Sequence, residues 1–226
     1  IVKETLNNLK FSTSMPEAVK KADLIIEAVP ENLDLKKSIL HNIEEIGCRD
    51  TIVVTNTSSL SLSEICRDFK HQENFGGLHF FNPVWIMKLV EVVRTNKTKK
   101  DVFDKLIEFS KSLGKTPVSC KDTPGFIVNR LLVPYMLEAI KMIDREDASM
   151  KDVDTAMKLG AGYPMGPFEL ADYVGLDTLK FIVEGWHEKY PHEPLFSPSA
   201  RLNRLFDEGK LGKKSGEGFY KYSGDK

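Results

Sequence analysis

Apolar positions in the first half of the chain fall into short unbroken runs, and between the runs they recur every three or four residues. Leu24-Ile25-Ile26-Glu27-Ala28-Val29 is the first run, and Pro30 closes it. Leu35, Ile39, Ile43 and Ile46 follow at helical spacing, with Gly47 placed to stop the helix. Residues 51–55 make a second run, residues 62–69 a short helical stretch, and residues 75–80 and 89–94 a third and fourth run. Val102, Leu106, Phe109 and Leu113 mark another helix, and residues 115–119 a last strand. Apolar strands alternating with helices predict an α/β domain built on a parallel sheet.

The pattern changes near Lys121-Asp122-Thr123-Pro124, where Thr123 is placed to cap a helix and Pro124 suits its first turn. Asn129, Val133, Met136, Ile140 and Ile143 then share one helical face. Residues 149–159, 167–174 and 178–188 read as further helices, the last with Asp177 as its cap. A Pro-rich loop over 191–198 and a Gly-rich tail over 213–220 complete the chain. The expected division is an α/β domain over residues 1–121 and an all-helical domain over 122–226.

Composition narrows the function. Lys plus Arg number 32 against 33 Asp plus Glu, a formal net charge of -1. That balance gives no support to a nucleic-acid partner. Cys48, Cys66 and Cys120 are widely spaced and form no C-x-x-C pair, which argues against a disulfide framework or a zinc site. They read as buried or inert thiols of a reducing compartment. No apolar run approaches the ~18 residues of a membrane span.

Ligands of open parallel sheets bind beyond the carboxyl ends of the strands, so the residues after each run carry the candidate chemistry. They are Pro30-Glu31-Asn32, then Asn56-Thr57-Ser58-Ser59, then His79-Phe80-Phe81-Asn82-Pro83. Each alone is also ordinary turn chemistry; three on one sheet edge point to a site. His79 lies in an apolar run and needs a ring partner, and Glu91 is a carboxylate inside the apolar strand 89–94. A short loop separates the two runs, which makes them candidates for neighbours. A carboxylate-oriented imidazole is the arrangement of a general base; a structural His–Glu pair is the other reading, and the residues alone leave both open. Asn129 is a polar amide on an apolar helix face, needing either an interhelical hydrogen bond or a ligand. His41, His71, His187 and His192 sit in polar contexts and read as surface residues, and Arg130 as a salt-bridging one.

Several segments resemble the 3-hydroxyacyl-CoA dehydrogenase family, in its short-chain, monofunctional, mitochondrial form. They are Asn56-Thr57-Ser58-Ser59-Leu60, Gly77-Leu78-His79-Phe80-Phe81-Asn82-Pro83, Met87-Lys88-Leu89-Val90-Glu91-Val92, residues 121–130, residues 162–170 and residues 212–220. The resemblance implies a Rossmann-type NAD domain, an all-helical domain that makes a homodimer, and a mitochondrial matrix location. It implies reversible oxidation of (3S)-3-hydroxyacyl-CoA to 3-ketoacyl-CoA in fatty-acid β-oxidation. His79 matches the family's base and Glu91 the carboxylate that orients it. Ser58 and Asn129 match residues at the reacting carbon of the substrate. Glu31, Lys36, Ser58, Asn82 and Lys214 match cofactor-contacting positions.

The dinucleotide fingerprint G-x-G-x-x-G is absent; Gly76-Gly77 and Gly160-Ala161-Gly162 are the nearest approaches. Residues 1–6 read as the middle of a helix. The reading therefore expects a preceding segment carrying the first βαβ unit and the CoA-binding arm, and expects this piece alone to bind NAD poorly or fold incompletely. A helical dimerisation module that happens to carry a sheet would have no need of the polar residues at the strand ends, and two further rival readings keep the layout. One is a non-catalytic member of the family, against which the joint presence of His79, Glu91, Ser58 and Asn129 speaks. The other is a related hydroxyacid dehydrogenase with a lysine as its catalytic residue, for which Lys36 and Lys88 lack the motif.

Overall fold

The computed structural model of the protein describes residues 2–47 and 49–222; Cys48 lies outside them. The elements are α1 (Val2–Asn7), α2 (Met15–Val19), β1 (Leu24–Glu27), α3 (Leu33–Ile46), β2 (Ile52–Thr55), α4 (Leu62–Ile65), β3 (Phe75–Phe80), β4 (Leu89–Arg94), α5 (Lys100–Ser112) and β5 (Thr116–Lys121). The helical part holds α6 (Val128–Asp144), α7 (Met150–Gly160), α8 (Pro167–Val174), α9 (Leu176–Lys189) and α10 (Ala200–Asp207). They form two compact units, one running to Ile127 and one from Val128 onward.

In the first unit the five strands lie in sequence order. β1–β2, β2–β3 and β4–β5 pair in parallel, each joined through a helix. β3 and β4 pair antiparallel within this otherwise parallel sheet. The reason is connection length: a parallel neighbour needs a crossover of a dozen or more residues, and only residues 81–88 separate β3 from β4. The carboxyl ends of β1, β2 and β3 and the amino ends of β4 and β5 therefore share one edge.

Side chains alternate between the two faces of the strands. Val53, Phe75 and Val93 pack with Leu40, Ile43, Leu62 and Ile65 of α3 and α4. Val54, Leu78, Val90 and Val92 pack with Val102, Phe103 and Leu106 of α5. Gly76 and Gly77 stand in the middle of β3 and are not a phosphate loop. A Cβ on Gly76 would meet Leu106 at 3.0 Å, and one on Gly77 would meet Leu62 at 3.0 Å. Their lack of side chains lets helices approach both faces of the strand.

α3 follows its sequence signals: the Asn32 side chain accepts from the Leu35 amide, and Gly47 stops the helix at φ 87°. Two caps fall elsewhere than expected. Residues 124–127 form a turn, with Gly125 at φ 73° and Phe126 at φ 53°, so α6 starts at Val128 and Thr123 caps nothing. Its carbonyl accepts the Phe126 amide, and its hydroxyl donates to the Phe126 carbonyl at 3.4 Å rather than accepting from a helix amide. α9 starts at Leu176 behind Gly175, and Asp177 lies inside its first turn.

In the second unit Val133, Met136, Leu137, Ile140, Phe168, Leu179, Trp186 and Phe196 are among the buried core. Two buried acids organise it. Asp154 accepts from the Phe168 and Glu169 amides at the start of α8 and from the Tyr220 hydroxyl. Asp172 accepts from the Phe219 and Tyr220 amides and the Tyr222 hydroxyl. A Cβ on Gly218 would lie 2.1 Å from the Asp172 carboxylate, so the Gly-rich tail is shaped to close on that acid. Among the described residues no helix is long and apolar enough to cross a membrane, and no group of three or more His, Cys, Asp or Glu is placed to hold a metal.

Candidate active site

The antiparallel register sets His79 directly across from Glu91. The imidazole Nδ1–H donates to Glu91 Oε2 at 2.7 Å, and both side chains are buried, Glu91 at 0% exposure and His79 at 6%. The other Glu91 oxygen, Oε1, accepts the Ile127 amide at 3.0 Å. A carboxylate held from both sides fixes the imidazole tautomer with Nε2 unprotonated. Nε2 has no hydrogen bond among the described residues. Phe81 and Phe126 flank the ring at 4.4 and 5.7 Å between centroids. The result is a shielded imidazole at the sheet edge with one basic nitrogen open.

Beside it the ends of β1 and β2 form a polar loop cluster. Glu31 accepts from the Thr57 hydroxyl, the Ser58 and Ser59 amides at 3.2 Å each, and the Ser59 hydroxyl at 3.0 Å. Burial works against charge on Glu31. The Thr57 hydrogen bond, the Lys36 charge and the Ser59 hydroxyl outweigh it and hold the carboxyl below its ordinary value. Ser58 is thereby fixed at the carboxyl end of β2. Asn56 accepts the Phe80 amide at 3.0 Å and ties the β2 and β3 ends together.

Lys36 is 1% exposed, and its ammonium points inward. It bonds Glu27 at 2.8 Å and the Val29 carbonyl at 3.1 Å, and pairs with Glu31 at 3.3 Å. Glu27 also accepts from Thr55 at 2.6 Å. Glu27, like Glu91, is a carboxylate inside an apolar run, and that is the signal in the sequence that marks it. Asn82 is exposed on the β3–β4 connection, beyond His79.

The helical unit holds the other two candidates. Asn129 is half-buried in the first turn of α6. Lys214 reaches Asp177 at 2.6 Å, and that ion pair helps hold the Asp177 carboxyl low against the cost of its burial. Arg130 pairs with Glu193 at 3.5 Å and lies over the Phe196 ring at 4.3 Å, half-buried. His187 departs from the surface reading: it is half-buried in α9, and its Nδ1 has no hydrogen-bond partner among the described residues. The Cys66 thiol is pushed up to about 11 and Cys120 to about 12, burial being the main cause, so neither is a thiolate at neutral pH.

Residues 1–123 match the family model of the 3-hydroxyacyl-CoA dehydrogenase NAD binding domain, and residues 125–222 that of the 3-hydroxyacyl-CoA dehydrogenase C-terminal domain. The chain belongs to the 3-hydroxyacyl-CoA dehydrogenase family. It is 58% identical over 221 residues to the mitochondrial hydroxyacyl-coenzyme A dehydrogenase of Rattus norvegicus, covering 98% of this chain and 70% of the rat protein. The mitochondrial human protein of the same name is 57% identical over the same shares. Among solved structures, a 3-hydroxybutyryl-CoA dehydrogenase from Escherichia coli superposes with a TM-score of 0.93 at 41% identity, over 99% of this chain and 47% of that one. The enzyme from Ralstonia eutropha gives the same TM-score at 38% identity, over 98% and 78%.

The family's cofactor fits what the first unit presents. Glu31, Ser58 and Asn82 stand at the ends of three adjacent parallel strands, all hydroxyl, amide or carboxylate, the chemistry that meets the sugars and carboxamide of a nicotinamide nucleotide. Lys36, whose donors go to Glu27, Val29 and Glu31, bears on that edge through the Glu31 carboxylate.

Proposed function

We propose that this 3-hydroxyacyl-CoA dehydrogenase oxidises (3S)-3-hydroxyacyl-CoA to 3-ketoacyl-CoA reversibly, with His79 as general base. The observation that carries the reading is the 2.7 Å His79–Glu91 contact at the carboxyl edge of the sheet, with Nε2 left open. His79 Nε2 takes the proton of the 3-hydroxyl. Glu91, fixed by the Ile127 amide, stabilises the imidazolium that results. In the reverse direction the same nitrogen returns the proton to the alkoxide oxygen. NAD, when bound, supplies the two-electron acceptor for C3. Ser58 binds the substrate near the reacting carbon and also meets the nicotinamide, and Asn129 is a further substrate-binding residue. Glu31, Lys36, Asn82 and Lys214 serve the cofactor, Lys36 by fixing Glu31.

The division of labour follows the chain: residues 1–121 bind NAD, and residues 122–226 bind substrate and pair two copies into a homodimer. The identity to relatives named as mitochondrial supports a place in the mitochondrial matrix. The test is NADH oxidation with acetoacetyl-CoA by the full-length protein. Turnover dependent on both substrates supports the reading, and a folded protein without turnover refutes it.

A further inference from the structure

The turn over residues 123–127 lies where the sequence suggests the start of a helix, and its geometry is unusual at two successive positions. Gly125 and Phe126 both have positive φ, 73° and 53°. For Gly125 that conformation is free; for Phe126 the Cβ makes it costly, and residues hold such a state only when their surroundings impose it. Two sets of contacts do so. On one side Asp122 accepts from the Ser61 hydroxyl at 2.9 Å and from the Leu62 and Ser63 amides at 2.9 and 2.8 Å, pinning the turn to the loop beyond Ser58. On the other the Ile127 amide donates to Glu91 Oε1 at 3.0 Å. Between them Phe126 is 5% exposed and its ring packs on the His79 imidazole.

We infer that Phe126 is a positioning residue of the His79–Glu91 pair: its left-handed backbone aims the Ile127 N–H at Glu91, and its ring walls the imidazole from water. A helix continued back through residues 124–127 would aim that N–H along the helix axis instead. The left-handed step turns it to the carboxylate. Phe126 touches neither the hydroxyl nor the nicotinamide in this account, so its effect is exerted through His79. The inference rests on the reading of His79 as base.

The test compares Phe126→Ala and Phe126→Leu with the parent, in the full-length protein. Loss of the wall and of the ordered turn should lower kcat about tenfold in Phe126→Ala, with KM for either substrate within about twofold, because misplacing a base by a fraction of an ångström acts on the chemical step. Phe126→Leu restores apolar bulk and should recover at least about a third of the parent kcat. The second readout needs neither substrate nor cofactor: the NMR resonance of the His79 Nδ1 proton, identified by its loss in His79→Ala. Its exchange with water should be at least about tenfold faster in Phe126→Ala. A parent-like kcat together with parent-like exchange in Phe126→Ala overturns the inference, as does a loss that lies in KM alone. Should Phe126→Ala fail to fold, Phe126→Gly carries the same two readouts, and parent values of kcat and exchange in it overturn the inference. A parent without turnover but with protected Nδ1–H would instead strike the proposed reaction and leave the positioning geometry standing.

Discussion

Glu91 in the sheet and Asp172 in the helical unit are both buried carboxylates, 0% and 1% exposed, and both accept hydrogen bonds. Their partners differ. Asp172 takes two backbone amides and the Tyr222 hydroxyl, and burial with that hydrogen bond raises the hydroxyl's proton affinity above the ordinary phenol range. The Tyr222 hydroxyl therefore keeps its proton near neutral pH. Glu91 accepts from the Ile127 amide and the His79 imidazole, and the imidazole has a second nitrogen open at the sheet edge. Burial of an acid thus marks either a knot or a working pair, and the partner's unspent atom tells them apart.

Removing the unspent atom should have the largest effect. His79→Ala is expected to lose at least about 100-fold in kcat with folding intact, measured as NADH oxidation with acetoacetyl-CoA beside a circular-dichroism melt. A loss under about threefold would place the His–Glu pair with the structural knots.

The converse holds for Asp172. Asp172→Ala leaves two buried amides and a hydroxyl without their acceptor. It should cost about 2–4 kcal/mol of stability, seen as a lower denaturation midpoint. At a temperature where the variant stays folded, kcat should remain within about twofold of the parent. A folded, inactive variant would erase the contrast between the two acids.

How much of this was visible in the sequence follows the same line. The strands were legible because their apolar runs are local. The His79–Glu91 pairing was legible because the connection is short enough to force β3 and β4 together. The turn at Gly125-Phe126 was not, because Pro124 suits a first helical turn and a tight turn alike, and the sign of φ leaves no trace in an apolar pattern. Asp172 was hidden for another reason: its partners lie 47 to 50 residues further along the chain, beyond the reach of any periodicity. Asp177 resembled a cap because acids do cap helices, but Gly175 already occupies that position and Lys214 claims the carboxylate.

Glu91→Gln keeps the shape of the pair and removes its charge. The expected loss is about tenfold in kcat, less than for His79→Ala, since the base remains but its imidazolium is less well stabilised. Full activity in Glu91→Gln would reduce Glu91 to a structural acceptor like Asp172.

Glu31 gives the smallest effect and a pH signature. Its folded pKa lies below the unfolded one, so its share of stability is full above about pH 4.3 and is lost as pH falls through the folded value. Glu31→Gln should flatten the acid limb of the stability curve below about pH 5, by less than about 1 kcal/mol because the side chain is more than a third exposed to screening solvent. An unchanged acid limb would mean that the Thr57–Ser59 loop holds itself without that charge.

The claim that His79 and Glu91 act as one unit is tested most directly by kcat of the double variant His79→Ala/Glu91→Gln measured beside both single variants. Groups that act together fail together, so the double variant should fall within about threefold of His79→Ala alone. Losses that multiply, leaving the double variant a further tenfold or so below His79→Ala, would show that Glu91 contributes without the imidazole and would contradict the account.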